Sequence, residues 1–279
     1  MIRITKFMLL LVCFLLSSSR LSAEGFPGDW AQLEPGFSFQ VFDSPVKSRL
    51  GDSRITVLKI DPEKFDFEIY CASQYNNKLR TVKEWSQDFN LVAAINAGMF
   101  AKDYLTSVGF LKSGDHVNNP TVNHSYNCVF ACGPLEDGLP AARIIDRQCE
   151  NFPDLRKKYR SFVQGIRMIS CHQKNVWEQQ PNQWSIAALG FDKGGNILFI
   201  HCRSPYTVHD FINILLKLPL EIRNAMYLEG GPPASLYYSL QGLQNELAGS
   251  YETDFLLNNN NQISWQIPNV IGVKKKSGN

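Results

Sequence analysis

The sequence predicts an α+β fold, with one domain built on a mixed, largely antiparallel β-sheet core and a few packed helices. Two observations lead to this prediction. Short segments that alternate apolar and polar residues recur along the chain, which is typical of half-buried strands. Only two segments place apolar residues at helical spacing, and each follows a threonine that can cap a helix. No Pro/Ser-rich linker or repeat divides residues 24–279, so we expect one domain there.

The elements are expected in a simple order. The opening strands are followed by a helix that Thr81 caps, with Glu84 at the capping-box position, and a later helix begins after Thr207. Residues 192–195 read as a hairpin turn, and residues 258–261 read as a loop. The predicted strands are 36–43, 55–60, 65–70, 91–95, 162–169, 185–191, 196–202, 251–257 and 270–273.

Residues 1–23 have the pattern of a secretory signal peptide. Two basic residues precede the apolar run 7–16, and a Ser-rich stretch ends in Leu-Ser-Ala at residue 23. We expect cleavage after Ala23, with a cut after Ser19 as the alternative. The mature chain, residues 24–279, is then expected to be periplasmic or secreted, without a membrane anchor.

The charge balance of the mature chain limits the kinds of partner that it is expected to bind. The chain has 28 basic and 26 acidic residues, and the leader carries three of the basic ones, so the mature chain is near neutral. Near-neutrality argues against binding to nucleic acid. Oligomeric state is not readable from the sequence.

Six cysteines remain after Cys13 leaves with the leader, an even number that permits disulfides without choosing among the pairings. His124, Cys128 and Cys132 have a spacing compatible with metal binding, but no second ligand pair completes a zinc set, so structural thiols are favoured.

The segment AMYLEGGPPASLY, residues 225–237, predicts a buried strand that ends at a functional site. Its apolar run stops at Glu229, a charge that is costly to bury unpaired. Gly230 and Gly231 allow a close backbone approach, and Ser235 supplies a hydroxyl group. The alternative is a tight turn with a solvated carboxylate.

A second polar segment follows the predicted strand 91–95. Asn96 offers an amide donor and a carbonyl acceptor for a sugar hydroxyl or a phosphate oxygen, and Gly98 follows it. The alternative is that Asn96 satisfies the backbone groups of a turn.

Further candidates are cationic or acidic. Arg167 lies in an apolar strand, so it either pairs with a structural carboxylate or faces an anionic ligand. His201 and Arg203 alternate onto one face of a strand and could form a cationic edge. Asp210 falls in the first turn of a helix, where the helix dipole alone explains an acid.

Taken in order, AINAGMF, FVQGIRMI, FDKGGNILFIHCRSPYTVHDF and AMYLEGGPPASLYY resemble the phosphodiester glycosidase family. The resemblance runs from about residue 36 to residue 273. Asn96 and Gly98 match the family's Asn-Gly segment, residues 228–231 match its Leu-Asp-Gly-Gly segment, and Ser235 matches a small hydroxyl residue. The resemblance implies an exported bacterial-type hydrolase that cleaves the sugar–phosphate bond of a sugar-1-phosphodiester.

Three positions depart from the family pattern. Glu229 stands where Asp is usual, Pro232 stands where Gly is frequent, and no basic residue precedes the strand that begins near Ser185. These differences imply a subfamily with a different substrate, in which Arg167 or Arg203 supplies the missing positive charge.

The expected chemistry follows from the leaving group. A phosphate departs as a stable anion, so the site needs cations, here Arg167, Arg203 and His201, more than a strong general acid. Glu229 is expected to act as base or to stabilise the anomeric carbon, with Asp210 as the candidate second carboxylate. Backbone amides at Gly98, Gly230 and Gly231 are expected to hold substrate oxygens.

The main expectation for cofactors is that none is required. A divalent cation held by Glu229, Asp103 or Asp210 is the alternative.

The competing function is a non-catalytic module that binds cell-envelope glycans. Trp30, Trp177, Trp184 or Tyr206 would then form an exposed stacking platform. An enzyme should instead gather Asn96, Arg203 and Glu229 in one cleft.

Overall fold

Alternating apolar positions build two antiparallel sheets in residues 30–276, the part of the chain that the computed structural model describes. The predicted leader, residues 1–23 with Cys13, lies outside the described residues. Strands make up 46% of the described residues and helices 9%, so the antiparallel core is confirmed but the fold is mostly β, with less helix than an α+β fold suggests.

The strands carry numbers in chain order. They are β1 Ala31–Glu34, β2 Phe37–Asp43, β3 Arg54–Ile60, β4 Phe65–Cys71, β5 Ala93–Asn96, β6 Leu111–Ser113, β7 His116–Asn119, β8 Cys128–Pro134, β9 Ala142–Asp146, β10 Tyr159–Ile169, β11 Trp184–Asp192, β12 Ile197–Tyr206, β13 Ile222–Gly230, β14 Ser235–Leu240, β15 Leu243–Ala248 and β16 Asn269–Lys275. The α-helices are α1 Val82–Asp88, α2 Phe152–Leu155 and α3 Val208–Leu215, and a short 3₁₀ helix spans Ala72–Gln74.

The two sheets pack face to face and are covered on their outer sides. The large sheet has the order β1-β2-β3-β12-β11-β13-β10-β6-β7, with β8 and β9 joined to it through β10, and the small sheet has the order β15-β14-β5-β16-β4. Side chains of both sheets, including Phe199, Leu228 and Leu236, form the core between them. Helix α3 covers the outer face of the large sheet and α1 covers that of the small sheet.

Both predicted helix caps are confirmed. The Thr81 hydroxyl accepts a hydrogen bond from the Glu84 N–H at 3.2 Å, and the Glu84 carboxylate accepts one from the Thr81 N–H at 2.8 Å, which completes the capping box. Thr207 caps α3 through the Asp210 N–H at 3.1 Å. The 192–195 hairpin also forms, between β11 and β12.

The strand predicted at 251–257 does not form. Glu252 and Leu256 exchange two backbone hydrogen bonds of 3.0 Å, so the chain closes into a tight turn instead of extending. The β-like sequence pattern is overridden here because these backbone groups bind each other rather than a neighbouring strand.

The cysteines divide into one disulfide and four buried thiols. Cys149 and Cys171 are bonded, while Cys71, Cys128, Cys132 and Cys202 are free and buried. Burial raises the pKa of the Cys128 and Cys132 thiols, as expected of structural cysteines. Within residues 30–276, three side chains that could bind a metal lie close together, namely Cys149, Cys171 and His172. Cys149 and Cys171 are already bonded to each other in the disulfide. None of the helices in that range is long and apolar enough to cross a bilayer.

Arg167 proves to be a structural residue, one of the two outcomes expected for it. Its Nη1 lies 3.0 Å from Oδ1 of Asp146, which is fully buried and also accepts the Cys171 N–H at 3.0 Å. The pair therefore ties β10 to the end of β9 near the disulfide.

Breaking this pair should destabilise the fold. Arg167→Gln leaves the Asp146 charge buried without its cation, so we expect a loss of about 3–5 kcal/mol in the free energy of unfolding, measured by urea denaturation. Lys157→Gln removes a pair whose side chains are 79% and 62% exposed and should cost less than about 1 kcal/mol. Equal losses in the two variants would contradict a structural role for the buried pair.

Candidate active site around the Glu229 turn

The turn between β13 and β14 crosses from the large sheet to the small sheet, and we call residues 230–235 the crossover turn. Gly231 has φ +69°, a conformation that glycine adopts without strain. Gly230 lets the Tyr227 hydroxyl group lie close to the backbone, since a Cβ at residue 230 would be 2.0 Å from the Tyr227 hydroxyl oxygen. The two glycines thus let the chain leave β13 sharply just after Glu229.

Two predicted site residues, Asn96 and His201, hold the crossover turn in place. Asn96 Nδ2 donates to the Pro233 carbonyl at 2.9 Å, and its Oδ1 accepts the Ser235 N–H at 2.7 Å. His201 Nε2 lies 3.2 Å from the Ala234 carbonyl oxygen, to which it donates. Burial lowers the pKa of His201 to about 4, so the imidazole is neutral near pH 7. These side chains therefore position the turn, and for Asn96 the turn-satisfying alternative is the one observed.

Glu229 is the next-to-last residue of β13, directly before the crossover turn. Strand register places it opposite Ala187, which in turn lies opposite His201, and a bulge at this point of β13 shifts the register. The residue is 9% exposed, and Oε1 accepts the Gly230 N–H at 3.0 Å. Burial raises the pKa of Glu229 to about 8, the Gly230 hydrogen bond opposes that rise, and the Glu252 charge adds to it. Glu229 is therefore mainly protonated at pH 7.

Glu252 is the second carboxyl group of the site. A Cβ on Gly231 would lie 2.5 Å from Glu252 Oε2, so this carboxyl group packs directly against the crossover turn. Burial raises the pKa of Glu252, and a hydrogen bond from Trp184 opposes the rise. The sequence reasoning missed this residue because it assigned residues 251–257 to a strand, and no spacing motif marks a lone Glu.

Two tyrosines complete the surroundings of Glu229. Burial raises the pKa of Tyr227 and of Tyr126, and the Glu229 charge raises both further, so both phenols lie within its electrostatic range. The Tyr227 ring packs on Trp177 with ring centroids 5.5 Å apart. Both hydroxyl groups stay protonated near neutral pH and can donate hydrogen bonds.

The predicted cationic edge is not formed. Arg203 donates to the backbone carbonyls of Ala248 at 2.7 Å and of Asn259 at 3.1 Å, and also to that of Asn261. His201 is neutral, and Arg167 is committed to Asp146. Arg203 contacts the crossover turn only indirectly. It binds the Ala248 carbonyl, and the N–H of the next residue, Gly249, donates to the Ala234 carbonyl at 2.6 Å. The sequence could not show this, because an arginine is satisfied by carbonyl groups as well as by an anion.

Asp210 is not brought to Glu229. It accepts a hydrogen bond from Gln179 at 3.0 Å, its side chain is 48% exposed, and the neighbouring carboxylate that acts on Glu229 is Glu252. Asp103 is occupied by its own turn, accepting from the Leu105 and Thr106 N–H groups at 3.0 Å. The three acids named as alternative ligands of a divalent cation, Glu229, Asp103 and Asp210, thus have separate surroundings.

The backbone amides expected to hold substrate differ in availability. Gly230 N–H binds Glu229, and Gly231 N–H donates to the Ser185 carbonyl at 2.9 Å. Gly98, with φ +84°, donates no hydrogen bond from its N–H within residues 30–276, and it lies against Val163. Of the three amides, that of Gly98, a buried residue, is the one without a hydrogen-bond partner in this range.

The four aromatic residues proposed as a glycan platform lie in or against the hydrophobic cluster that includes α3, and Trp184 also lies beside Gly230 and hydrogen-bonds Glu252. Trp30 packs on Phe42, Trp177 on Tyr227, and Tyr206 is buried with its hydroxyl donating to the Val46 carbonyl at 2.7 Å. A cavity of about 620 Å³ lies elsewhere, along the edge of β4, where Glu68 and Arg160 line it; it includes none of the predicted site residues.

Comparison with known proteins places the chain in a family. The sequence model described as phosphodiester glycosidase matches residues 89–274, more than half of the chain. The chain belongs to the phosphodiester glycosidase family. The matched range contains Asn96, the crossover turn and Glu252. A search of curated protein sequences finds no match.

Solved structures share the fold of this phosphodiester glycosidase family member. The catalytic domain of zebrafish N-acetylglucosamine-1-phosphodiester alpha-N-acetylglucosaminidase, auto-inhibited by its pro-peptide, has TM-score 0.58 and 14% identity over 87% of this chain and 85% of that one. A hypothetical protein from Synechocystis has TM-score 0.60 and 15% identity over 91% of this chain and 65% of that one. A putative exported protein from Burkholderia pseudomallei has TM-score 0.48 and 10% identity over 79% and 73%.

The buried acid should make stability depend on pH. Because the pKa of Glu229 in the folded chain lies above the ordinary value of 4.5, the stability from its protonation is complete below about pH 4.5 and is lost as pH rises through about 8. Glu229→Gln cannot ionise, so its unfolding free energy relative to wild type should rise across this range by roughly 2–5 kcal/mol. Urea denaturation at several pH values measures this. Glu136→Gln, a control at a 56% exposed carboxylate, should show a flat difference; an equally flat difference for Glu229→Gln would refute the buried-acid assignment.

Proposed function

We propose that the chain is an exported hydrolase that cleaves the sugar–phosphate glycosidic bond of a sugar-1-phosphodiester in an envelope or extracellular glycan. The observation that carries the proposal is the pairing of a protonated, buried Glu229 with the more accessible Glu252 at one turn. Membership of the family supports this reaction class at a coarse level. Export rests on the predicted leader.

A protonated Glu229 suits an anionic substrate. With Arg167 and Arg203 committed elsewhere, an ionised Glu229 would repel the phosphodiester, whereas a neutral carboxylic acid donates a hydrogen bond to it. As the bond from the anomeric carbon to oxygen breaks, its electron pair moves to the phosphate oxygen, which the Glu229 proton stabilises. The role that the sequence predicts for Glu229, base or charge stabiliser, is therefore assigned to Glu252.

Glu252 is then the base. It lies beside Gly231 on a partly exposed turn, and in its ionised form it can take a proton from the attacking water. Its negative charge also favours the positive charge that develops at the anomeric carbon. The products are a free sugar and a phosphate monoester.

Neighbouring groups are proposed to hold the substrate. The free Gly98 N–H and the hydroxyl groups of Tyr126 and Tyr227 are donors for sugar or phosphate oxygens. Asn96, His201 and Ser235 act through the crossover turn, as positioning residues. No cofactor is part of the proposal, because phosphate leaves as a stable anion without metal activation.

The proposal predicts a bell-shaped pH dependence of kcat/KM. The rate should fall above about pH 8 as Glu229 ionises, and it should fall on the acid side as Glu252 becomes protonated. Hydrolysis of a panel of sugar-1-phosphodiesters, followed by release of free sugar, measures the profile.

Variants test the two roles separately. Glu252→Gln should lose about 10²–10⁴-fold in kcat/KM. Glu229→Gln keeps a hydrogen-bond donor, so it should retain part of the rate and lose the alkaline limb. Glu136→Gln is the matched control with unchanged kinetics, and a chelator should have no effect on wild type. An alkaline limb that persists in Glu229→Gln would remove Glu229 from this role, and glycan binding without turnover across the panel would favour the binding-module alternative.

A further inference from the structure

The turn that carries Glu252 continues into a loop with large exposed apolar side chains, and we call residues 252–265 the apolar loop. Phe255 is 61% exposed, Leu257 59% and Ile263 74%. No charged residue occurs between Phe255 and Val273. Three exposed apolar side chains on one short loop make it a candidate contact site for an apolar group.

The apolar loop is held in place by defined contacts. Phe255 N–H bonds the Glu252 carbonyl at 3.1 Å, and the Phe255 ring packs edge-on against Trp265 with centroids 5.9 Å apart. Ser250 Oγ donates to the Asn258 carbonyl at 2.9 Å, and Arg203 binds the Asn259 carbonyl at 3.1 Å. The fold therefore fixes the loop while leaving its apolar side chains uncovered.

The apolar loop begins at Glu252, the proposed base, and this position favours contact with part of the substrate. Phe255 belongs to the same closed turn as Glu252, whose carboxyl group packs on Gly231. A protein bound over this turn would cover the approach to Glu252. An apolar group that is part of the substrate would instead lie on the loop whenever the reacting bond reaches the two carboxyl groups.

We infer that the substrate is lipid-linked, a sugar-1-phosphodiester whose phosphate carries a hydrocarbon chain that lies along the apolar loop. The inference rests on the proposed function and names its substrate class. Water attacks the anomeric carbon, the bond from that carbon to the phosphate oxygen breaks, and the products are free sugar and a lipid monophosphate. The part of the loop that follows Asp254 carries no charge, and it favours the hydrocarbon chain by removing apolar surface from water.

The test compares two substrates that differ only in the chain. Ethyl and decyl esters of N-acetylglucosamine 1-phosphate, the sugar named for the zebrafish neighbour, are supplied as monomers below the micelle concentration. Wild type should show a kcat/KM at least about tenfold higher for the decyl ester, because the chain is buried on binding. The double variant Phe255→Ser/Ile263→Ser should lose this preference while keeping its rate on the ethyl ester.

The matched control is Leu135→Ser, which removes a 55% exposed leucine just after β8. It should keep the preference for the decyl ester. Equal kcat/KM for the two esters in wild type would overturn the inference and leave the proposed function intact. A similar loss of preference in Leu135→Ser would also overturn it.

A binding measurement separates failure of the inference from failure of the proposed function. Decyl phosphate and ethyl phosphate are titrated against each protein, with intrinsic tryptophan fluorescence as the readout, to which Trp265 in the loop contributes. Stronger binding of decyl phosphate by wild type, lost in the double variant and kept in Leu135→Ser, supports an apolar ligand site even if neither ester is hydrolysed. Binding that does not depend on chain length would overturn it.

Discussion

Burial of the Glu229 carboxyl group at the crossover turn is the constraint on which the account of the site depends. The turn joins the large sheet to the small sheet, and Asn96 of the small sheet and His201 of the large sheet bind its backbone. Because both sheets hold the turn, the packing fixes the backbone next to Glu229, whose side chain is 9% exposed. Its protonation near neutral pH therefore follows from the packing of the two sheets.

The arginines show how the fold uses charge away from the chemistry. Arg167 neutralises the buried Asp146, and Arg203 fixes the apolar loop through backbone carbonyls. Both satisfy groups that would be costly to bury alone. With these cations committed, a neutral acid at Glu229 is the arrangement that admits an anionic substrate beside Glu252. The structural role of Arg203 also connects the proposed base to the apolar loop, since both lie on the segment that it holds.

Local patterns predicted much of this structure. The alternation in residues 65–70 and the caps Thr81 and Thr207 depend on neighbouring residues alone, so the sequence contains what is needed to recognise them. Glu229 was recognisable because a charge ends an apolar run. The roles of Arg203 and Glu252 were not, because the Arg203 partners lie 45 to 58 residues away and Glu252 meets Gly231 only through the tertiary fold. The disulfide was equally unreadable, since spacing does not select one pairing.

The most direct test of this account is the ionisation of Glu229 itself. Infrared difference spectra of wild type and Glu229→Gln, recorded across a pH titration, isolate the carbonyl stretch of one protonated carboxylic acid. The account predicts a band that is present at pH 7 in wild type, absent in the variant, and lost with a midpoint near pH 8. A wild-type midpoint near the ordinary value of 4.5 would contradict it, because Glu229 would then be ionised where the enzyme is proposed to use its proton.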